Sequence, residues 1–254
     1  MSIRTPSMTS DPAQGRLLPL LCADGHEQMA LDALLLERAH TTPLLRFYRW
    51  RGPWLSLGRH QKHWPAHWNA MASAGRLSLV RRPSGGRAVL HAGGLTYALI
   101  WPQAPRRRRE AYRDACQWLI DGFQALGDDL HFGDEPARSE GANCFARSTV
   151  ADLVDARGIK RIGSAQRWLH GRLLQHGEIL LDPPAQLWQE VFEEEAPAAA
   201  SASIPREGLD QHLRAALQQR WPERQWREQA LTPEERQALS LASSASDACM
   251  VSTT

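Results

Sequence analysis

An apolar run at residues 77–80 feeds into Arg81-Arg82-Pro83-Ser84-Gly85-Gly86-Arg87, and a second apolar run, Ala88-Val89-Leu90, ends on His91. The segment predicts two short strands joined by a glycine-rich turn. Glycines at such a turn let the backbone approach a ligand closely and point its N–H groups at an anion. Arg82 and Arg87 flank the turn with guanidinium forks suited to phosphate or carboxylate. Taken alone, the segment reads equally well as a hairpin decorated with arginines.

Lysine usage adds weight to the first reading. Of 30 basic residues only Lys62 and Lys160 are lysines. An ammonium is a compact point charge whose pKa moves on burial, which a guanidinium cannot match. Lys160 sits in Gly158-Ile159-Lys160-Arg161-Ile162-Gly163-Ser164-Ala165-Gln166, a segment of small residues with no evident surface role. Lys62, between Gln61 and His63, reads as a residual surface lysine.

The bulk composition excludes several classes. A net charge of +2 is too small to imply nucleic-acid binding. The four arginines at 106–109 read as a helix start or as a docking patch for an acidic partner. No apolar stretch approaches the roughly 20 residues of a membrane span, and the polar first 14 residues lack the apolar core of a signal peptide. Cys22, Cys116, Cys144 and Cys249 are far apart without C-x-x-C spacing. A cytoplasmic protein with free thiols is expected. His60, His63 and His67 are interrupted by Pro65 and joined by no carboxylate, so they read as a loop flank and no metal site is expected.

Helical spacing predicts helices over 26–40, 64–74, 108–126, 184–192, 204–221 and 232–241. In the last, Thr232 is the N-cap and Glu235 completes a capping box. Alternation or short apolar runs predict strands over 44–50, 54–57, 77–82, 88–91, 95–101, 150–154, 159–164 and 179–181. Residues 1–18 read as a disordered lead-in, 19–193 as the main domain, 194–203 as a linker, 204–242 as a helical extension and 243–254 as a flexible tail. The mixed order implies an α+β fold.

Three motifs stand in order: R-R-x-S-G-G-x-A-V-x-H at 81–91, K-x-x-G-S-A-Q at 160–166 and Q-H-G at 175–177. Met29-Ala30-Leu31-Asp32, the strand 45–50 and Leu57-Gly58-Arg59-His60-Gln61 accompany them. Together they resemble the biotin/lipoate A/B protein ligase family, in its branch of lipoate–protein ligases and octanoyltransferases, over about residues 26–192. The resemblance implies a mixed sheet flanked by helices, a class II biotinyl/lipoyl ligase-like domain enclosing a tunnel for an eight-carbon acyl chain. It implies that Arg82, Ser84, Gly85, Gly86, His91, Gly163 and Ser164 line the acyl or acyl-adenylate site. By the same resemblance Lys160 contacts the acyl carbonyl, or the α-phosphate in a ligase, while His176 and Gly177 close the pocket. A carbonyl gathering negative charge needs a cation and N–H donors around it, and the strands around Val89 and Leu99 are expected to wall the apolar tunnel.

The family divides by how the acyl group is activated. Asn143-Cys144-Phe145, sixteen residues before Lys160, resembles the Cys-Phe pattern of the cysteine-dependent octanoyltransferases. The implied reaction takes an octanoyl or lipoyl group from acyl carrier protein onto Cys144 and passes it to a lysine of a lipoyl carrier domain, with no cofactor. The alternative is a ligase using ATP and Mg²⁺, in which Asp152 lies near the nucleotide and its metal. Arg87 and Leu95 replace a glycine and an asparagine common in the ligases and so favour the transferase. Neither nucleic acid nor membrane is an expected partner.

Overall fold

The computed structural model describes residues 13–133 and 152–251. The chain runs β1 (Ala13–Leu17), β2 (Leu21–Ala23), α1 (Gly25–Arg38), β3 (Leu44–Trp50), β4 (Trp54–Leu57), α2 (Ala66–Ser73), β5 (Ser78–Arg81), β6 (Val89–His91) and β7 (Gly94–Trp101). It continues with α3 (Arg108–Ala125), β8 (His131–Phe132), β9 (Asp152–Val154), β10 (Lys160–Leu169), β11 (Arg172–Leu180), α4 (Ala185–Phe192), α5 (Leu209–Arg220), β12 (Arg224–Glu228) and α6 (Pro233–Val251). The main sheet has the order β12-β1-β3-β7-β11-β10-β9-β8, with β2 also on β3; a smaller sheet has the order β5-β4-β6. β1 pairs parallel with β12 and β3, and β3, β7, β11, β10, β9 and β8 pair antiparallel in turn, so the sheet is mixed, as expected.

Strand alternation decides which side chains meet which layer. On one face Phe47, Tyr97, Leu99, Ile162 and Ile179 form a core with Trp118, Leu119 and Phe123 of α3. The other face carries α1 and the small sheet. Asp24 caps α1 by accepting the Glu27 N–H at 2.9 Å, and Met29, Leu31, Leu35 and Leu36 are buried with Tyr48, Ala98 and Leu174.

Three boundaries differ from the sequence reading. The lead-in ends earlier, because Ala13–Leu17 is a strand on β12 and β3. A Cβ at Gly15 would overlap the Trp226 ring, so close chain approach holds that pairing. Residues 204–242 are no separate extension: Leu209, Leu213 and Leu217 of α5 and Trp226 of β12 join the α3 core, and the chain between α4 and α5 is anchored through buried Ala200 and Ile204. Finally, α6 runs on to Val251 rather than ending near 241. Its start matches the capping box, with the Thr232 N–H donating to Glu235 Oε2 at 2.8 Å and the Glu235 N–H donating to Thr232 Oγ1 at 3.2 Å.

Strands β10 and β11 are longer than expected. They meet at His170-Gly171, both with positive φ (49° and 80°), the geometry of a tight two-residue hairpin turn.

Candidate active site

A narrow, mostly apolar cavity of about 60 Å³ lies between the α1 face of the main sheet and the small sheet. Alternation places its polar groups. Tyr48 pairs with Thr96, Thr96 with Glu178, and Ala98 with His176, so these side chains share that face. Met29 of α1, Trp50, Val89, Gly163, Ser164 and Ala165 complete the wall.

Two relays of serine, histidine and carboxylate cross the gap between the sheets. In the first, His176 Nδ1–H donates to Asp32 Oδ2 at 2.7 Å, and Nε2 meets the Ser84 hydroxyl at 2.5 Å. Asp32 also accepts from the Tyr48 hydroxyl at 3.1 Å and faces the buried Arg46 guanidinium at 3.5 Å. Burial, then the Asp32 charge, holds the Tyr48 phenol well above its ordinary pKa, so it stays a donor. In the second relay, His91 Nδ1–H donates to Glu178 Oε2 at 2.7 Å, and Nε2 meets the Ser56 hydroxyl at 2.8 Å. Thr96 donates to the same Glu178 oxygen at 2.5 Å while accepting from Trp50 Nε1 at 2.7 Å. The His91 ring stacks on Trp50 at 3.9 Å, and burial lowers its pKa below the ordinary histidine value. In both relays the acid fixes the ring orientation.

Arg82 lines the cavity, as expected, and also holds the loop. Its buried guanidinium donates to the carbonyls of Ser56 (2.8 Å), Gly85 (2.8 Å) and Arg87 (2.5 Å), and so clamps the glycine-rich turn. A fork enclosed by backbone carbonyls sets the loop's shape and leaves its charge beside the cavity. Gly86 has φ +89°, and a Cβ at Gly58 would overlap its carbonyl, so both glycines are required for the turn to sit where it does.

Lys160 is buried and ion-paired with Asp152 Oδ1 at 2.9 Å. Simple alternation from Ile162, a core residue, would send Lys160 to the α3 side. The register with β9 shifts between Lys160 and Ile162, so Lys160 pairs with Val154 and Gly163 with Asp152. The register shift, of the kind bulges produce beside functional sites, thus sets Lys160 opposite Val154 with its ammonium on Asp152; neither residue is among those that line the cavity.

Cys144 lies outside the described residues. Cys116 is buried in α3, and burial pushes its thiol up to about 12; Cys22 is exposed. Val89 walls the cavity, whereas Leu99 points to the α3 core, because it sits out of phase with Thr96 and Ala98 on β7. Gly177 carries no side chain because a Cβ would press on Ser164 Oγ at 2.6 Å and Tyr97 at 2.8 Å. Among the described residues no group of His, Cys, Asp or Glu is arranged to hold a metal, and no helix is long and apolar enough to cross a membrane.

Sequence reasoning assigned no role to Asp32, Glu178, Ser56, Thr96 or Trp50. One signal was available: Asp32 and Glu178 are the acidic residues among the buried positions of α1 and β11.

A family model for the lipoyl protein ligase A/B catalytic domain matches residues 24–231. The chain belongs to that family. Within the lipoyl protein ligase A/B family it is 39% identical over 180 residues to Octanoyltransferase LipM of Geobacillus kaustophilus, covering 65% of this chain and 64% of that protein. It is 36% identical over 200 residues to the LipM of Lysinibacillus sphaericus, covering 71% of this chain and 72% of that one. The chain thus spans about three fifths of the length of the first curated relatives it matches. Two solved structures share the fold at 22% identity. Protein Ta0514 of T. acidophilum with bound lipoic acid superposes with a TM-score of 0.76, over 90% of this chain and 94% of that one. Lipoate-protein ligase A bound with ATP gives 0.71 over 91% and 94%.

Proposed function

We propose that this chain moves an octanoyl group from a thioester of acyl carrier protein onto one lysine of a lipoyl carrier domain. The observation that carries the reading is the apolar cavity where the Ser84–Gly86 turn meets His176, beside Gly163, Ser164 and Ala165. The relatives named Octanoyltransferase LipM favour transfer over ligation.

In this reading the acyl tail enters by displacing Met29, whose unbranched side chain yields readily, and lies against Val89. The Cys144 thiolate attacks the thioester carbonyl carbon. A new C–S bond forms, the old one breaks, and the carrier departs as its thiolate. Lys160 and backbone N–H groups of the surrounding segments stabilise the oxyanion. The amine of the acceptor lysine then attacks the acyl-enzyme, an amide forms as the C–S bond breaks, and the departing Cys144 sulfur takes up the proton that the amine gives up. The two sulfur esters are nearly equal in energy, so the first step needs no ATP. Arg82, Ser84 and His91 act by holding the turn and the cavity wall. A cytoplasmic setting, where thiols stay reduced, goes with this mechanism.

The ligase reading would place ATP and Mg²⁺ near Asp152. One oxygen of Asp152 already holds Lys160, and Arg87 and Leu95 stand at positions where the ligases keep a glycine and an asparagine, so this set suits a nucleotide poorly.

Intact mass spectrometry of an apo lipoyl domain separates the two. One reaction contains octanoyl–acyl carrier protein without ATP, the other free octanoate with ATP and Mg²⁺. Acylation in the first alone, with an adduct on Cys144, is expected. Acylation in the second alone would make the protein a ligase. Cys144→Ala should abolish transfer with the fold intact, and Lys160→Arg should be nearly inactive; full activity in either removes that residue from the mechanism.

A further inference from the structure

A second, wider concavity of about 610 Å³ adjoins the acyl cavity, and Met29 and Arg82 belong to the walls of both. Its floor is apolar, formed by Ala30 and Ala33 of α1 with Leu57, Leu79 and Val80 of the small sheet. Four arginines line it, Arg59, Arg81, Arg82 and Arg167, and no carboxylate does. Arg81 is fixed, donating to the carbonyls of Gly58 at 2.8 Å and Gln61 at 2.9 Å with its guanidinium over Trp64. Among the described residues Arg59 and Arg167 form no ion pair. Both line the same concavity, and the Arg167 pKa is lowered first by burial and then by the Arg59 charge, with the Glu37 carboxylate opposing them in smaller measure. Guanidinium groups around a concavity whose wall holds no carboxylate form a site for an anion.

Continuity with the acyl cavity says which anion. Gly163 and Ala165 line the cavity, and Arg167 is the next residue on the same face of β10. A ligand running along that face has its reactive end beside Gly163 and an anionic group one strand repeat beyond Ala165.

We propose that this groove binds the phosphopantetheine arm of the acyl donor, with Arg59 and Arg167 on its phosphodiester and its apolar and amide portion over α1. The assignment rests on the thioester-donor reading above. An arm that carries an acyl thioester at one end and a phosphate at the other spans a narrow apolar cavity and an arginine-lined groove in that order. The groove is concave and continuous with the acyl cavity through Met29 and Arg82, which suits a slender arm better than a protein surface.

The test uses the full chain, wild type and the Arg59→Gln, Arg167→Gln and double variants, with octanoyl-phosphopantetheine and octanoyl-pantetheine as paired donors. The quantity read is the ratio of kcat/KM for the phosphate-bearing donor to that for the phosphate-free one. The ratio is expected to fall about tenfold for each arginine removed, the scale of a charge-assisted hydrogen bond. A ratio unchanged in the double variant, or near one in the wild type, overturns the assignment. Calorimetry with 4′-phosphopantetheine and pantetheine reads binding without turnover. If the wild type acylates nothing from either donor, the transferase reading fails. The groove assignment then still stands if only the phosphate-bearing arm binds and the double variant loses it, and falls if the two bind alike. ATP competing at the groove, with its affinity lowered in the double variant, would give the groove to a nucleotide instead.

Discussion

Asp32→Asn is the most informative single perturbation of the scaffold. Asp32 is fully buried and serves three partners: His176 Nδ1 at 2.7 Å, the Tyr48 hydroxyl at 3.1 Å and the Arg46 guanidinium at 3.5 Å. Arg46 is itself buried, with its guanidinium over the Tyr48 ring at 4.0 Å and a hydrogen bond to Gln28 Oε1. Asparagine keeps the shape but removes the charge. It leaves the guanidinium buried without a carboxylate and can set an amide N–H against the His176 Nδ1–H. Removing one partner of a buried ion pair typically costs about 3–5 kcal/mol, because the remaining charge keeps its desolvation penalty. With a urea slope of roughly 2–3 kcal/mol per molar, the unfolding midpoint should fall by about 1–2.5 M. Equilibrium urea unfolding at constant pH measures it. Asp32→Leu combined with Arg46→Met should recover part of the loss, since an apolar replacement of both charges leaves nothing uncompensated. A loss below about 1 kcal/mol for Asp32→Asn, or a double variant worse than the sum of the singles, would refute the argument that this carboxylate compensates Arg46.

Gly58→Ala forces a methyl against the Gly86 carbonyl, a backbone atom that can move only with its turn. A loss of about 1–3 kcal/mol in thermal unfolding is expected, together with a larger loss of acyl transfer; a wild-type melting temperature would show that the turn accommodates the methyl. His91 has a depressed pKa in the folded state, so below the unfolded value of about 6.5 the unfolded chain takes up a proton that the folded one refuses. Stability is therefore intact above that pH and falls as pH drops below it, by up to about 1.4 kcal/mol per pH unit. His91→Gln should flatten that slope, and an unchanged slope would assign it to other groups. Cys116, with its thiol pushed to about 12 by burial, should resist iodoacetamide at pH 8 until the protein unfolds, while exposed Cys22 reacts; peptide mapping of the alkylated protein reads both.

What was legible in the chain was local. Alternation at 44–50 and 95–101 and the Thr232–Glu235 capping box are one- to three-residue rules, and the structure places β3, β7 and the start of α6 accordingly. The three motifs were legible too, because glycines that admit a close backbone approach leave no substitute. The polar chemistry around them was not. His176 meets Asp32, 144 residues away, and His91 meets Glu178, 87 residues away; nothing in their spacing ties them.

Sequence by itself therefore determined the elements, the glycine-rich turn and the family to which the chain belongs. Tertiary structure decided which face each functional side chain occupies. A register shift between Lys160 and Ile162 breaks simple alternation and sets Lys160 opposite Val154 and against Asp152, and Arg82 binds carbonyls of its own loop. Ala13–Leu17, polar enough to read as a lead-in, becomes a strand because β12 and β3 supply the hydrogen bonds that it cannot make alone. In each case the deciding energy lies between groups distant in the chain. A buried charge must find its partner and a buried backbone group must be paired, and those requirements are met only once the layers have packed.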